Sequence, residues 1–182
     1  MINEAKTKIL DLDLKGCIYL NNLSNRQPIA RFFKGVSRMG DGGFWSAMLL
    51  GLWATKGLDY SPKIGFMLVG GSVGSVIYKV LKQKTTRPRP YQVHQVIVLG
   101  ERPLDHFSFP SGHTLHAVMA TIVIGSAMPA LLVFMVPFTV LVALSRMILG
   151  LHYPSDVIVG ALIGATVAGG ILLTASALQI EL

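Results

Sequence analysis

Four apolar runs, at roughly 63–82, 111–128, 130–149 and 155–178, decide where this chain can fold. Each is close to the ~20 residues that a helix needs to cross a hydrocarbon core. A chain of 182 residues with 52% apolar and 14% charged side chains and a mean hydropathy of +0.57 is not an ordinary soluble domain. A fifth, weaker run from Phe44 to Leu58 is interrupted by Lys56. It spans only if that lysine snorkels to the interface or the bilayer thins around it. The expected fold is all-α: a polytopic membrane helix bundle with about five transmembrane helices. A single membrane domain over 1–182 is expected, with interfacial helices in 1–42 and the bundle in 43–182.

The N-terminal residues pattern differently. Leu10, Leu12, Leu14, Ile18 and Leu20 alternate with Asp11, Asp13 and Lys15. Further on, Arg31, Lys34 and Arg38 lie at helical spacing beside Phe32, Phe33 and Val36. Both stretches read as interfacial amphipathic helices, or as surface helices of the protein itself. No basic start followed by an apolar segment precedes residue 43, so no cleavable signal is expected. The single cysteine, Cys17, excludes an intramolecular disulfide and reads as a small apolar residue.

Three polar strings border the apolar runs: Lys82 with Arg89-Pro90, Pro110-Ser111-Gly112-His113, and Ser145-Arg146 followed by His152 and Asp156. With five spans, the loops after the second and fourth emerge on the side of the N-terminus, so all three strings meet on one face. Under that count 16 basic residues divide with all but Lys56 and Lys63 on the motif side. The positive-inside rule then places the site in the cytoplasm. A basic face would also attract anionic headgroups, a secondary reading of the same excess.

Phosphoryl transfer without a metal needs cations on the equatorial oxygens, an aligned nucleophile and an acid for the leaving oxygen. Prolines on both sides of Arg89 keep it out of a helix and in a stiff, extended stretch. Its planar fork suits phosphate. Ser111 stands at the N-cap of the third run, where free amides and a partial positive charge greet an anion, and Gly112 lets the backbone approach. His152 and Asp156 flank Pro154, so the carboxylate can hold one imidazole nitrogen and leave the other free to attack. Each string alone has a structural reading: a cap for Ser111, an interfacial histidine for His113, an Arg146–Asp156 ion pair.

In order, Lys-x6-Arg-Pro, Pro-Ser-Gly-His and Ser-Arg-x5-His-x3-Asp resemble the three-part signature of the type 2 phosphatidic acid phosphatase (PAP2) superfamily. The resemblance implies a metal-independent phosphatase with no cofactor and a phosphohistidine intermediate. It makes His152 the nucleophile, Asp156 its orienting carboxylate and His113 the acid. Lys82, Arg89, Arg146, Ser111 and the amide of Gly112 would hold the phosphate. Only Arg89 has a lysine seven residues before it, so Arg87 is read as an auxiliary contact to a second phosphate or headgroup. Members of the family commonly have six spans, and many bacterial ones face the periplasm, against the charge count here.

The partners expected are a lipid bilayer and a phosphorylated membrane lipid, with no nucleic acid. Undecaprenyl diphosphate or phosphatidylglycerol phosphate leads, and phosphatidic acid or lipid A is the alternative. The expected location is a bacterial inner membrane. A non-enzymatic phospholipid carrier and a zinc hydrolase built on His113, His116, His152 and Asp156 are the competing classes. Three cations at the same mouth argue against zinc. His94, Glu101, Arg102, Asp105 and His106 in the loop 91–109 read as a lid or a solvated turn. Asp41 reads as a helix cap, and His116 as a packed, hydrogen-bonded histidine. Gly70 with Gly74 and Gly160 with Gly164 have small-xxx-small spacing, read as close helix packing, with a homodimer contact as the alternative.

Overall fold

A computed structural model describes residues 2–180. The described residues form helices and connecting turns, with no strand among them. The helices are α1 (Ile2–Asn21), α2 (Gln27–Met39), α3 (Gly42–Lys56), α4 (Ser61–Thr85), α5 (Pro90–Val93), α6 (Gly112–Ala127), α7 (Leu132–Ile148) and α8 (Pro154–Ala177). Their ends follow from sequence. Prolines stand in the first turn of α4, α5 and α8, where the missing amide costs nothing. The connection from α7 to α8 is tight because Gly150 adopts φ +71°, and a Cβ there would lie 2.7 Å from the Val98 carbonyl oxygen.

The chain is a membrane helix bundle. Three segments, Leu58–Val93, Pro129–Ile148 and Pro154–Ala177, are long and apolar enough to cross a bilayer. Helices α3 and α6, with 15 and 16 residues, fall short of the ~20 residues that an upright span requires. α6 is the hub: it packs along α8 and also against α4 and α7. Large apolar side chains remain exposed on the outer faces, among them Leu68, Val69 and Val73 of α4, Phe134 of α7 and Leu162 and Leu173 of α8. Such a girdle is what lipid-facing helices present.

Helices α6 and α8 touch nearly backbone to backbone. A Cβ at Gly160 would lie 2.5 Å from the Ser111 carbonyl oxygen, and one at Gly164 would crowd the carbonyl oxygen of Leu115 at least as closely. A Cβ at Gly70 of α4 would meet the side chain of Ile171 of α8. The small-xxx-small pairs therefore pack inside the bundle. Around them lie two apolar clusters, one centred on Met67, Met119 and Ile171 and the other on Trp45, Ala117 and Val142.

The two N-terminal helices pack on the motif end of the bundle, α2 against α7 and α1 against α7 and α8. One face of α1 buries Asp13, Cys17 and Asn21, while Ile9, Leu12 and Tyr19 stay exposed. Asn21 donates to the carbonyls of Val98 and Ile148 and accepts from the Val98 amide, tying α1 to the loop before α6 and to the end of α7. Burial, with Asp156 and Asp13 nearby, pushes the Cys17 thiol up to about 12, so it is inert packing.

Replacing Gly164 by Val should lower the thermal midpoint in detergent, because overpacking of a tight contact costs about 1–3 kcal/mol. Gly169, where an added methyl would meet nothing within 4 Å, should accept Ala without loss.

Candidate active site

The site forms where the end of α4, the short α5, the start of α6 and the α7–α8 turn converge. Lys82 sits in the last turn of α4 and Arg146 in the last turn of α7. Arg89 caps α5 in an extended conformation, φ −77° and ψ 152°, imposed by the flanking prolines. All three cations are buried, Arg89 to 1% exposure. The Arg89 guanidinium donates to the Leu151 carbonyl at 2.8 Å and stands 3.3 Å from Nε2 of His152. The expectation that residues from the two distant loops form one cationic pocket thus has a direct geometric counterpart.

His152 is buried with its two nitrogens in different settings. Nε2 faces Arg89, while Nδ1 lies 3.7 Å from Asp156 Oδ2 and has no hydrogen-bond partner. Asp156 is held from behind: Oδ2 accepts the Tyr153 amide at 2.9 Å and Oδ1 accepts Arg87 at 2.7 Å. Burial, then the charges of Arg89, Arg146 and Lys82, hold the His152 imidazole well below its ordinary 6.5. The ring is therefore neutral near pH 7, with a lone pair available.

His113 projects from the first turn of α6, and its Nε2 lies 2.6 Å from Asp41 Oδ1 at the α2–α3 corner. Asp41 makes no side-chain cap bond, so its expected role as a helix cap is corrected: the carboxylate is spent on His113. His116 bonds Ser75 Oγ at 2.9 Å and the Gly112 carbonyl at 2.8 Å. A Cβ on Gly112 would meet the Tyr78 ring at 2.7 Å, which fixes glycine there by packing.

Two expected contacts are placed otherwise. Arg87, read as an auxiliary to a second phosphate, turns away from the recess. Its guanidinium bonds Asp13 at 2.8 Å, Ser155 at 2.8 Å and Asp156 at 2.7 Å, and lies over the Tyr153 ring at 4.1 Å. The reason is local geometry: Arg89 has near-polyproline dihedrals, and in that helix of three residues per turn neighbours two apart diverge by about 120°. Ser111 is fully buried beneath α8, its hydroxyl paired with Thr114 at 2.9 Å and its amide given to the Asp156 carbonyl. Only Gly112 and His113 of that string reach the cavity wall.

Asp105 was not separated from the other loop residues in sequence. Its Oδ2 lies 2.6 Å from Lys82 Nζ and also accepts the Tyr78 hydroxyl, and its Oδ1 lies 2.7 Å from Arg89. Burial alone would raise this carboxyl, but the bonds from Lys82 and Tyr78 and the charges of Lys82 and Arg89 prevail and hold it at about 2.

The recess is the polar end of a cavity of about 650 Å³ that runs between α3, α4 and α6, walled by Trp45, Leu49, Met67, Met119, Val123 and Ile171. A second cavity, about 480 Å³, lies on the other side of Asp41, His113 and Arg146 and is lined by Arg38, Glu101 and Arg102. Arg146 borders both, gives one nitrogen to Ser37 and keeps Nε without a partner. Among the described residues no three His, Cys, Asp or Glu side chains cluster as metal ligands.

Residues 63–179 match the PAP2 superfamily. The chain is 38% identical over 100 residues to decaprenylphosphoryl-5-phosphoribose phosphatase of Mycobacterium tuberculosis, covering 54% of this chain and 53% of that protein. It is 30% identical over 125 residues to the undecaprenyl-diphosphatase BcrC of Bacillus subtilis, covering 69% of this chain and 64% of that one. The matched region thus spans about half the length of the mycobacterial relative. Among solved structures, LpxE of Aquifex aeolicus superposes with a TM-score of 0.77 at 26% identity, covering 87% of this chain and 93% of that one. A PAP2 type phosphatidylglycerolphosphate phosphatase from Bacillus subtilis also gives 0.77, at 22% identity over 93% and 87%, which speaks for the fold alone.

Replacing Arg87 by Ala strands the buried carboxylates of Asp13 and Asp156, and should cost about 3 kcal/mol of stability. Thermal unfolding in detergent reads it; an unchanged midpoint would return Arg87 to a headgroup contact.

Proposed function

Because the chain belongs to the PAP2 superfamily, we propose that it is a metal-independent phosphatase that removes the terminal phosphate of a membrane lipid through a phosphohistidine on His152. The observation that carries this reading is the neutral, buried His152 ring, with Nε2 beside Arg89 at the head of an apolar cavity. A phosphate held by Lys82, Arg89, Arg146 and the Gly112 amide has its oxygens neutralised by fixed donors in a water-poor recess. Nε2 of His152 attacks phosphorus in line, forming an N–P bond as the P–O bond to the leaving group breaks. His113 gives its proton to the departing oxygen. In the second half, His113 takes a proton from water as the water oxygen bonds phosphorus and the N–P bond breaks, releasing phosphate.

Asp156 keeps the Nδ1 side of His152 facing a carboxylate, which stabilises the positive charge that the ring gains as it attacks. Asp41 bonds His113 through Nε2, but burial and then the charges of Arg146, His116 and Arg89 hold that ring well below its ordinary 6.5, so the proton it gives is one acquired when the anionic phosphate enters. The other classes fit less well. A lipid carrier needs the cations but has no use for a nucleophile with its own carboxylate. A zinc site would need His113 and His116, which are bonded to Asp41 and to Ser75 and Gly112.

For the substrate, we favour a polyprenyl diphosphate such as undecaprenyl diphosphate. The names of the mycobacterial and Bacillus relatives point to polyprenyl-linked phosphates, and the apolar part of the cavity suits a lipid chain. Phosphatidylglycerol phosphate is the second reading, on the strength of the shared fold. Phosphate release from purified protein on a panel of these lipids, phosphatidic acid and lipid A tests the assignment.

His152→Ala should lose at least about 10³-fold in turnover on the preferred lipid while an excess of chelator leaves the wild-type rate unchanged. Retained hydrolysis in the variant would reject His152 as nucleophile. The pH dependence carries a second expectation. Protonation of His152 is opposed by burial and by Arg89, Arg146, Lys82 and His113, while Asp156 faces its Nδ1 and Asp105 bonds Arg89 and Lys82. Falling pH therefore removes the nucleophile only well below 6.5. The acid limb of kcat/KM, corrected for the ionisation of the substrate, should have its midpoint below that value.

A further inference from the structure

Two of the three cations assigned to phosphate already hold an anion, the side chain of Asp105. Lys82 meets one carboxylate oxygen at 2.6 Å and Arg89 the other at 2.7 Å. Arg89 Nε also donates to the Asp105 carbonyl at 3.2 Å. Ammonium and guanidinium donors engage carboxylate and phosphate with the same geometry, so the Asp105 oxygens take the places that two phosphoryl oxygens would need. The cations are almost fully buried, whereas 31% of the Asp105 side chain is exposed. The carboxylate reaches in from the open side.

The segment that carries Asp105 is lightly held. Gly100 donates to the Leu149 carbonyl and Ser108 to the Arg87 carbonyl. Between these ties, residues 101–107 make no main-chain bond to the backbone of another described residue. The segment's side-chain ties include Asp105 itself and an Arg38–Glu101 pair at 3.3 Å, in which Arg38 is exposed and Glu101 nearly buried. Segments with so few backbone bonds open at low free energy.

We infer that Asp105 is an internal competitor for the phosphate site and thereby sets which lipids the site accepts. This rests on the phosphatase reading and extends it. A terminal phosphate must displace the carboxylate, so the apparent affinity of every anion falls by the fraction of molecules in which the cations are free. The consequence is a threshold. Three buried cations at the head of a cavity lined by apolar side chains would otherwise be filled by the phosphodiester headgroups that crowd a membrane. A common penalty drops the weakly held monoanionic diesters below useful occupancy. A doubly charged terminal phosphate, with about twice the Coulomb attraction, still saturates the site.

The test is competitive inhibition of phosphate release in detergent by inorganic phosphate and by dimethyl phosphate, for wild type and Asp105→Asn. Both inhibition constants should fall by a similar factor, about tenfold if the carboxylate occupies the site for nine-tenths of the time. The KM for the lipid should fall with them. Arg38→Ala, which loosens the same segment at Glu101, should lower the constant for inorganic phosphate by at least about twofold. Constants that stay the same or rise in both variants would overturn the inference and make Asp105 an anchor for Lys82 and Arg89. Should neither wild type nor variant bind inorganic phosphate in a thermal-shift titration, the phosphate-site reading itself is lost.

Discussion

A single guanidinium binds the two halves of the site together. Arg89 reaches from the connection after α4 to the carbonyl of Leu151 and the ring of His152 in the α7–α8 turn, and to Asp105 in the loop before α6. A charge this deep needs partners on every side. The fold supplies them in two layers. Behind His152, Asp156 and Asp13 share the guanidinium of Arg87. In front, Asp105 and Asp41 face Lys82, Arg89 and His113 and are themselves 31% and 43% exposed. The rear layer sets a carboxylate 3.7 Å from the Nδ1 side of the imidazole. The front layer is the one that another anion can replace.

That electrostatic core stands at the end of a cavity that turns apolar within a few residues, which suits an amphiphile with a charged head and a long tail. Packing makes the arrangement possible. Glycines at 160 and 164 let α6 lie directly on α8, so the start of α6 is pinned against the start of α8 and His113 is carried to the rim of the same recess as His152. α1 and α2 seal this end: Asp13 from α1 takes the half-buried Arg87, and Ser37 from α2 takes the buried Arg146. The candidate site thus includes contacts from residues outside the matched region 63–179.

Much of this was legible in the sequence. The apolar runs gave the long helices, and Lys82, Arg89, His113, Arg146, His152 and Asp156 lie at one end as expected, although among the described residues three helices rather than five are long and apolar enough to span. Contacts that span long separations were not legible. Asp41 precedes two glycines at a helix start and looks like a cap, although its carboxylate goes to a histidine 72 residues away. Asp105 sits in a polar loop whose shape no periodicity encodes. Arg87 was readable in part, because in a polyproline-like Arg-Pro-Arg-Pro stretch the two arginines diverge. Ser111 kept the cap position but not its expected phosphate contact, since α8 packs on it through Gly160. Helix α3 ends at Lys56, as the interrupted apolar run implied, and at 15 residues it is shorter than an upright span.

The most direct measurement is to quench the purified protein with labelled polyprenyl diphosphate at early time and locate the label by mass spectrometry under alkaline conditions. Attack by His152 predicts an acid-labile, base-stable phosphoryl group on its Nε2, present in wild type and absent in His152→Ala. Label on another residue, or hydrolysis at full rate with no phosphoenzyme formed at any quench time, would contradict it.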